Sequence, residues 1–269
     1  MIKHVDGVSY FVFEHFKNTK MVRNCVSTRI GGISTGYYES MNLGVNSADD
    51  PKCVSENFVR LSHAVGWSER DIVISHQVHG VEIYDATAAD RGKGLYFERD
   101  YQNIDGLMTT EKNLVLATYY ADCVPLLFLD TNKRVIASVH AGWRGTLNDI
   151  GGKAVAKMIK DYGSNPVDIL AGIGPSISVK NFQVGADVYE EFQKALPFSA
   201  DFIYNDKKAD DRRYLDLWGI NRRLLELAGI PPENIEVAGL CTYERDDLFF
   251  SHRRDGAKRG SIAAMIELY

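Results

Sequence analysis

Three almost unbroken apolar segments in the middle of the 269-residue chain place the strongest constraint on its fold. They cover residues 114–119, 124–129 and 135–139, and the polar residues 130–133 form a turn between the last two. A strand that is apolar at nearly every position is covered on both faces, since a strand with one wet face alternates apolar and polar residues. The sequence therefore predicts that these strands lie at the centre of a layered protein.

Shorter segments with strand or helix patterns surround this centre. Strands are predicted at residues 8–13, 24–28, 72–75, 81–84, 167–173, 235–240 and 262–268. Helices are predicted at residues 51–65, 146–162, 186–196 and 215–227, and residues 197–211 are predicted to form a loop. Strands and helices do not alternate regularly, which favours an α+β fold with mixed sheets and flanking helices. We expect a single domain over residues 1–269, because one core can hold a chain of this length.

Composition and charge exclude several classes of function. The 31 basic and 36 acidic residues give a formal net charge of -5, so no overall positive field attracts nucleic acid or an anionic membrane. The chain shows no secretion leader, no bilayer-length apolar run and no heptad repeat. We expect a cytoplasmic monomer that acts on a small molecule. Its four cysteines are expected to be reduced thiols: Cys25, Cys53, Cys123 and Cys241.

His79, Cys123 and His140 each stand where a strand-like segment meets a turn. Cys123 immediately precedes the strand predicted at 124–129, and His140 immediately follows the one at 135–139. Side chains at strand ends can converge, and two imidazoles with one thiolate form a three-ligand set suited to zinc, with a fourth position for water or substrate. Each residue also has a plainer interpretation, because a turn histidine is often solvated and a lone cysteine is often a small buried hydrophobe.

The turn after His140 has the sequence HAGWRGT and contains two glycines. Thr146 is predicted to cap the helix at 146–162, whose free backbone N–H groups, with Arg144, can hold a phosphate or a developing oxyanion near His140. The alternative is a packing turn in which Trp143 fills the core and the arginine is solvated.

Two further polar regions carry candidate ligand contacts. In the glycine-rich region near the N-terminus, Arg29 can bind an anion and Asn42 a sugar hydroxyl or a base edge, although asparagine is also a common turn former. A basic run near the C-terminus is predicted to be a solvated loop, and it contains Arg253, Arg254, Lys258 and Arg259.

Four motifs together resemble those of the YfiH/YlmD family, whose members carry the labels polyphenol oxidase (laccase) and purine nucleoside phosphorylase. They are HQVHG at 76–80, ADCVPLL at 121–127, HAGWRG at 140–145 and FFSHRRDG at 249–256. The resemblance implies a single α+β domain akin to the deamidase domain of cytotoxic necrotizing factor. It also implies a zinc ion held by His79, Cys123 and His140.

The same resemblance implies phosphorolysis of adenosine, inosine, guanosine and methylthioadenosine, with deamination of adenosine as a side activity. We expect the reacting centre to contain Cys123, His140, His79 and Arg144. We expect the substrate to contact Arg29, Asn42, His76, Gln77 and Asp122.

Two other chemistries use the same residues or the same label. A cysteine hydrolase would use Cys123 as a thiolate activated by a histidine, and an amidase that edits peptidoglycan precursors of the cell wall is one such enzyme. A copper polyphenol oxidase is less favoured. Multicopper laccases rely on many histidines in His-x-His pairs, whereas this chain has seven histidines and no such pair.

Overall fold

The computed structural model describes residues 1–205 and 212–269. Its strands are β1 (Ile2–Val5), β2 (Val8–Phe11), β3 (Val22–Ser27), β4 (Ile72–Ile74), β5 (Ile83–Asp85), β6 (Gly106–Thr109), β7 (Val115–Tyr120), β8 (Val124–Asp130), β9 (Val135–Ala141), β10 (Ile169–Ile173), β11 (Gln183–Gly185), β12 (Ile203–Asn205), β13 (Arg212–Leu215), β14 (Ile235–Val237) and β15 (Ile262–Leu268). Its helices are α1 (Glu14–Thr19), α2 (Pro51–Val65), α3 (Trp143–Leu147), α4 (Ile150–Tyr162), α5 (Ala186–Ala195), α6 (Leu217–Leu227) and α7 (His252–Asp255).

The strands form two six-stranded sheets and one small sheet. The first has the order β1-β2-β3-β15-β7-β4, the second β14-β10-β8-β9-β6-β5, and the small one β11-β13-β12. Most neighbours are antiparallel, but β4 and β7, β5 and β6, and β10 and β14 run parallel. Both large sheets are therefore mixed, which confirms the predicted α+β fold with mixed sheets and flanking helices.

The two large sheets pack face to face and carry helices on their outer faces. Side chains of β7 and β15 meet side chains of β8 and β9 in one buried cluster between the sheets. Helix α2 covers the outside of the first sheet, and α4 and α6 cover the outside of the second. Since β7, β8 and β9 are covered on both faces, their sequences are apolar at almost every position, as predicted.

Alternation along β9 determines which way His140 points. Ala137 and Val139 face the outer helices, whereas Ile136 packs in the cluster between the sheets. Ser138, on that same inner face, forms a 2.6 Å hydrogen bond with Thr118 of β7. His140 continues this inner row, because residues two apart on a strand share a face.

Two predictions about this region were wrong in detail. Strand β9 extends to Ala141, so His140 lies within the strand instead of after it. The helix predicted at 146–162 is divided into α3 and α4 by Asp149, whose backbone is left-handed at φ 54°. Thr146 is therefore not a helix cap: its hydroxyl accepts from Asn221, and the carboxylate of Asp149 caps α4 by accepting from the Gly152 N–H.

Several short elements escaped the sequence prediction. The helix over 51–65 and the strand over 262–268 are confirmed with the same bounds, because each is long and regularly patterned. Strands β1, β6, β11 and β13 and helix α1 have only three to six residues each, too few to show a period. The loop predicted at 197–211 instead contains a 3-10 helix and β12 over its described part, and residues 206–211 lie outside the described residues.

Asp149→Ala is expected to lower the free energy of unfolding by about 1–2 kcal/mol, because it removes the cap of α4 and leaves alanine in a left-handed conformation. Urea denaturation measures this change. Asp149→Asn is the matched control, since asparagine keeps a capping oxygen and tolerates this backbone. Equal losses in the two variants would contradict the capping role.

Candidate functional site

A cavity of about 750 Å³ opens beside the ends of β7, β8 and β9, and His79, Cys123 and His140 all line it. This volume is within the range of small-molecule sites. His79 is exposed, Cys123 is half-buried and His140 is buried. The three side chains therefore form a patch that reaches from the protein interior to the cavity.

The ligating atoms of these three residues all lie within 4.8 Å of one another. Nε2 of His79 is 3.8 Å from Sγ of Cys123, and the rings of His79 and His140 meet edge to face with centroids 4.9 Å apart. In a tetrahedral zinc site the histidine nitrogen and the cysteine sulfur are about 3.6 Å apart, from the usual bond lengths. Within the described residues, the donor set and its spacing thus fit a three-ligand metal site.

Asp105 holds two of these residues in place. Its fully buried carboxylate accepts backbone hydrogen bonds from Val78, His79 and Gly80 at 2.8–3.0 Å and lies 2.8 Å from Nδ1 of His140. A carboxylate accepts, so Nδ1 of His140 carries a proton, and Nε2 can act as a ligand or a base once the ring is neutral. Asp105 was not predicted from the sequence, because a single aspartate before a short strand carries no signal of its own.

Backbone geometry brings His79 to the site at a conformational cost. His79 has a left-handed backbone at φ 63°, which is uncommon for a residue other than glycine. The three consecutive N–H groups that bind Asp105 surround this residue, so their hydrogen bonds offset the strain. The HQVHG segment folds this way because one carboxylate satisfies three donors at once.

Gly142 is required by the close packing of the three side chains. A β-carbon at this position would lie 2.7 Å from Cδ2 of His79 and 3.3 Å from Sγ of Cys123. The first distance is shorter than any stable contact between carbon atoms. The first glycine of the HAGWRG motif therefore leaves the room in which the imidazoles and the thiol approach one another.

Asp122 links the Cys123 turn to two other segments. Its carboxylate accepts from the Thr242 and Ser251 hydroxyls and from the Arg253 N–H at 2.6–3.0 Å, and its backbone is left-handed at φ 89°. Asp122 lines the cavity, but both of its carboxylate oxygens are occupied within the protein. The structure thus places it as a connector between the cavity wall and the cysteine.

The charges of the site favour a thiolate beside an imidazolium. Burial opposes ionisation of Cys123, but the charge of His140 and hydrogen bonds from both histidines hold its pKa at about 6. Burial would also lower the pKa of His140, yet the thiolate and Asp105 raise it to about 9. Burial likewise disfavours ionised Asp105, but its hydrogen bonds with His140 and the backbone lower its pKa. The metal-free site is therefore an ion pair at neutral pH.

The predicted catalytic residue Arg144 and the remaining predicted substrate contacts separate into residues in the cavity and residues outside it. Gln77 and Arg144 line the cavity, with Gln77 tied to the backbone of Tyr119 and the Arg144 guanidinium 4.1 Å from the centre of the Trp143 ring. The exposed Arg144 side chain is thus available at the wall, whereas the Gln77 amide is occupied by Tyr119 and Ser75. The sequence predicted neither the hydrogen bonds between Gln77 and Tyr119 nor the contact between Arg144 and the Trp143 ring.

Arg29, Asn42 and His76 do not line this cavity. The guanidinium of Arg29 donates to backbone carbonyls of Glu39 and Asp246. Asn42 is fully buried, and its side chain bonds to neighbouring loops. His76 accepts from the Asn103 N–H and lines a separate, shallower cavity. Each of the three has a partner within the protein that the sequence could not reveal.

The basic run near the C-terminus is only partly the solvated loop that the sequence predicted. Arg253 and Arg259 line the cavity together with His252. Arg254 instead ties Thr242, Tyr243 and Phe249 together through backbone carbonyls. Neighbouring arginines of this run therefore face different parts of the protein, which the local sequence does not show.

Comparison with known proteins identifies the family to which this chain belongs. A family model described as multi-copper polyphenol oxidoreductase laccase matches residues 23–269. The chain is 39% identical over 254 residues to the protein named purine nucleoside phosphorylase YlmD from Bacillus subtilis, covering 93% of this chain and 90% of that one. It is 32% identical to the protein named purine nucleoside phosphorylase YfiH from Escherichia coli, covering 97% and 100%. The chain belongs to the YfiH/YlmD family.

Solved structures of the family have the same fold. The YfiH protein of Bacillus licheniformis superposes with a TM-score of 0.92 at 34% identity over 98% of both chains. YlmD of Geobacillus stearothermophilus superposes with a TM-score of 0.90 at 32% identity, covering 99% of this chain and 97% of that one. These likenesses confirm the resemblance that the four motifs indicate. In the described residues, no helix has both the length and the apolar character needed to cross a membrane.

In metal-free protein, the ultraviolet absorbance of the Cys123 thiolate is expected to titrate with a midpoint at about pH 6. His140→Gln removes the positive charge beside the thiol. The midpoint should therefore rise, because burial of the thiol raises its pKa and His140 no longer lowers it. Burial raises the pKa of Cys25, and burial with nearby Asp50 raises that of Cys53, so neither obscures the transition. His252→Gln, at the same cavity, is the control and should leave the midpoint in place; an unmoved midpoint in His140→Gln would contradict the ion pair.

Proposed function

We propose that this protein is a zinc-dependent purine nucleoside phosphorylase. Its proposed substrates are adenosine, inosine, guanosine and methylthioadenosine, with deamination of adenosine as a side activity. The observation that carries the proposal is the convergence of His79, Cys123 and His140 at a cavity of ligand size. It is supported by relatives that bear the name purine nucleoside phosphorylase over nearly the whole chain.

His79, Cys123 and His140 would hold the zinc ion. Nitrogen and thiolate donors suit zinc, and three protein ligands leave one position open, as in catalytic zinc sites. When bound, zinc supplies Lewis-acid chemistry on the cavity side of these ligands. Because all three ligands come from one chain, a monomer in the cytoplasm is sufficient as the acting unit.

The walls of the cavity suit a purine nucleoside and an anion. Apolar side chains, among them Ile177, Phe182 and Val188, offer surface against which a purine ring can pack. Arg144, Arg253 and Arg259 add positive charge to the same cavity. Phosphorolysis needs both, since a flat apolar base and a phosphate must bind side by side.

A cysteine hydrolase is the second candidate, and one observation favours it. The pKa of Cys123 is held at about 6 next to His140, which is the state of an activated nucleophile. An amidase acting on peptidoglycan precursors would use this thiolate without zinc. The two candidates thus differ in whether Cys123 serves as a ligand or as an attacking group.

Products formed from nucleosides test the first candidate. Purified protein with its zinc content measured is incubated with inosine or adenosine, with and without phosphate. Ribose-1-phosphate and free base that appear only with phosphate support phosphorolysis, and inosine formed from adenosine supports deamination. If neither forms and an amino-acyl cell-wall precursor is cleaved, the amidase takes the place of our proposal.

Cys123→Ala is expected to remove both bound zinc and activity, because two histidines alone hold zinc weakly. Zinc is measured by elemental analysis alongside turnover. Cys53→Ala is the matched control, since Cys53 lies on α2 away from the cavity, and it should leave zinc and turnover unchanged. Full zinc with lost turnover in Cys123→Ala would identify the cysteine as a nucleophile.

Asp105→Asn is expected to weaken zinc binding about 10-fold to 100-fold, because residues that orient a histidine ligand commonly have effects of this size. Competition with a chelator measures the affinity. Asp187→Asn removes the same charge at the same cavity without touching the three ligands, and its zinc affinity should match that of the natural protein. Equal affinities for all three proteins would show that Asp105 does not position His140.

A further inference from the structure

Arg259 is a half-buried cation at the cavity. Its Nη1 donates to the Gly260 carbonyl at 3.1 Å and to the Ser261 hydroxyl at 3.2 Å. Its Nε is buried and has no acceptor among the described residues. Both hydrogen bonds of the guanidinium to those residues come from Nη1, so Nη2 has no acceptor there either. In that part of the chain no carboxylate forms an ion pair with this guanidinium. One edge of the guanidinium is therefore left without a partner.

Such an arrangement is costly unless a ligand completes it. Buried donors in folded proteins almost always have acceptors, and a guanidinium withdrawn from water is normally paired with an anion. The Nε and Nη2 edge of arginine suits two parallel hydrogen bonds to a carboxylate or phosphate. The unpartnered edge of Arg259 thus points to an oxyanion as the missing group.

The other two arginines of the cavity are exposed, so water can satisfy their remaining donors. The guanidinium of Arg144 stacks on the Trp143 ring, and Nη1 of Arg253 donates to the carbonyls of Asn181 and Gln183. Arg259 also interacts electrostatically with Asp122, Cys123 and Asp255, none of which bonds to it directly, so its charge lies near the three-ligand site. Of the three, Arg259 is the one whose unpartnered donor edge is withdrawn from water.

Support behind Arg259 keeps this corner of the cavity in place. Ser261, which accepts from Nη1, is itself held by its N–H, which donates to the buried side chain of Asn42. Asn42 in turn donates to Ser47 and Asp49. Asn42 therefore acts behind the cavity wall, where it holds Ser261, the residue whose hydroxyl accepts from the Arg259 guanidinium.

We propose that Arg259 binds the phosphate that attacks the nucleoside, a role that rests on the proposed phosphorolysis. An oxygen of hydrogen phosphate forms a bond to C1′ of the ribose, and the bond from C1′ to N9 breaks with its electron pair on the purine. The proton of hydrogen phosphate ends on the purine. The products are ribose-1-phosphate and the free base, and Arg259 balances the charge of the phosphate throughout.

Kinetics with varied phosphate test this role. Arg259→Gln is expected to raise the KM for phosphate in inosine phosphorolysis about 10-fold to 100-fold, the usual effect of losing a charge-assisted hydrogen bond. The KM for inosine should change by less than about 2-fold. Arg259→Lys, which keeps the charge but not the fork, should recover part of the loss. Zinc content and the midpoint of thermal unfolding check that each variant is folded.

Lys258→Gln is the matched control, because it removes one positive charge from the neighbouring residue. The Lys258 ammonium lies over the ring of exposed Tyr37, outside the cavity, so both KM values should stay as in the natural protein. An unchanged KM for phosphate in Arg259→Gln overturns the role, and so does an equal rise in both KM values.

Direct binding separates this inference from the proposed function. Isothermal titration calorimetry of zinc-loaded protein with inorganic phosphate should give binding that Arg259→Gln weakens and Lys258→Gln preserves. If phosphate binds in this way but no ribose-1-phosphate ever forms, the phosphorolysis fails and the anion site stands. If ribose-1-phosphate forms and Arg259→Gln binds phosphate as well as the natural protein, the anion site fails and the phosphorolysis stands.

Discussion

The buried carboxylate of Asp105 is the interaction on which the rest of the site depends. It accepts hydrogen bonds from three backbone N–H groups at and beside His79, and it orients the ring of His140. Two residues from distant parts of the chain are therefore held by the same carboxylate. A carboxylate with no solvent exposure is stable only when its lone pairs are occupied, and here they are. The histidines consequently have little freedom, and the position of each depends on the other.

The sheet sandwich provides the surroundings that this anchor requires. His140 continues the inward row of β9, and the Tyr120 hydroxyl on β7 donates to the Val139 carbonyl just before it. The inner space between the sheets is dry and closely packed, so a polar row must be satisfied internally. Thr118 and Ser138 meet this need by bonding to each other across the sheets. The reacting centre thus lies where a fully bonded polar row reaches the open edge of the sandwich.

Patterns of sequence predicted the parts of the molecule that repeat or that concentrate chemical groups. The continuous apolar segments predicted strands that are covered on both faces. The positions of His79, Cys123 and His140 next to turns predicted a shared site, and the structure brings these three residues together. Asp105 and Arg259 gave no such signal, because their roles arise from contacts between segments far apart in the chain. Arg29 and Asn42 misled for the same reason: Arg29 donates to the distant Asp246 carbonyl, and Asn42 accepts from the distant Ser261 N–H. Local sequence shows which polar side chains are present, but it does not show which of them form hydrogen bonds within the folded protein.

The ion pair of the metal-free site makes the two candidate chemistries closely related. Cys123 is already a thiolate at neutral pH, so it needs no deprotonation either to bind a metal or to attack a substrate. His140 differs, because its raised pKa means that it must release a proton before Nε2 can bind a metal. A metal ion would take the place of that proton as the positive charge beside the thiolate, and Asp105 would stabilise the histidine in either state. The choice between ligand and nucleophile therefore depends on whether a metal ion or a proton supplies the positive charge at this one point.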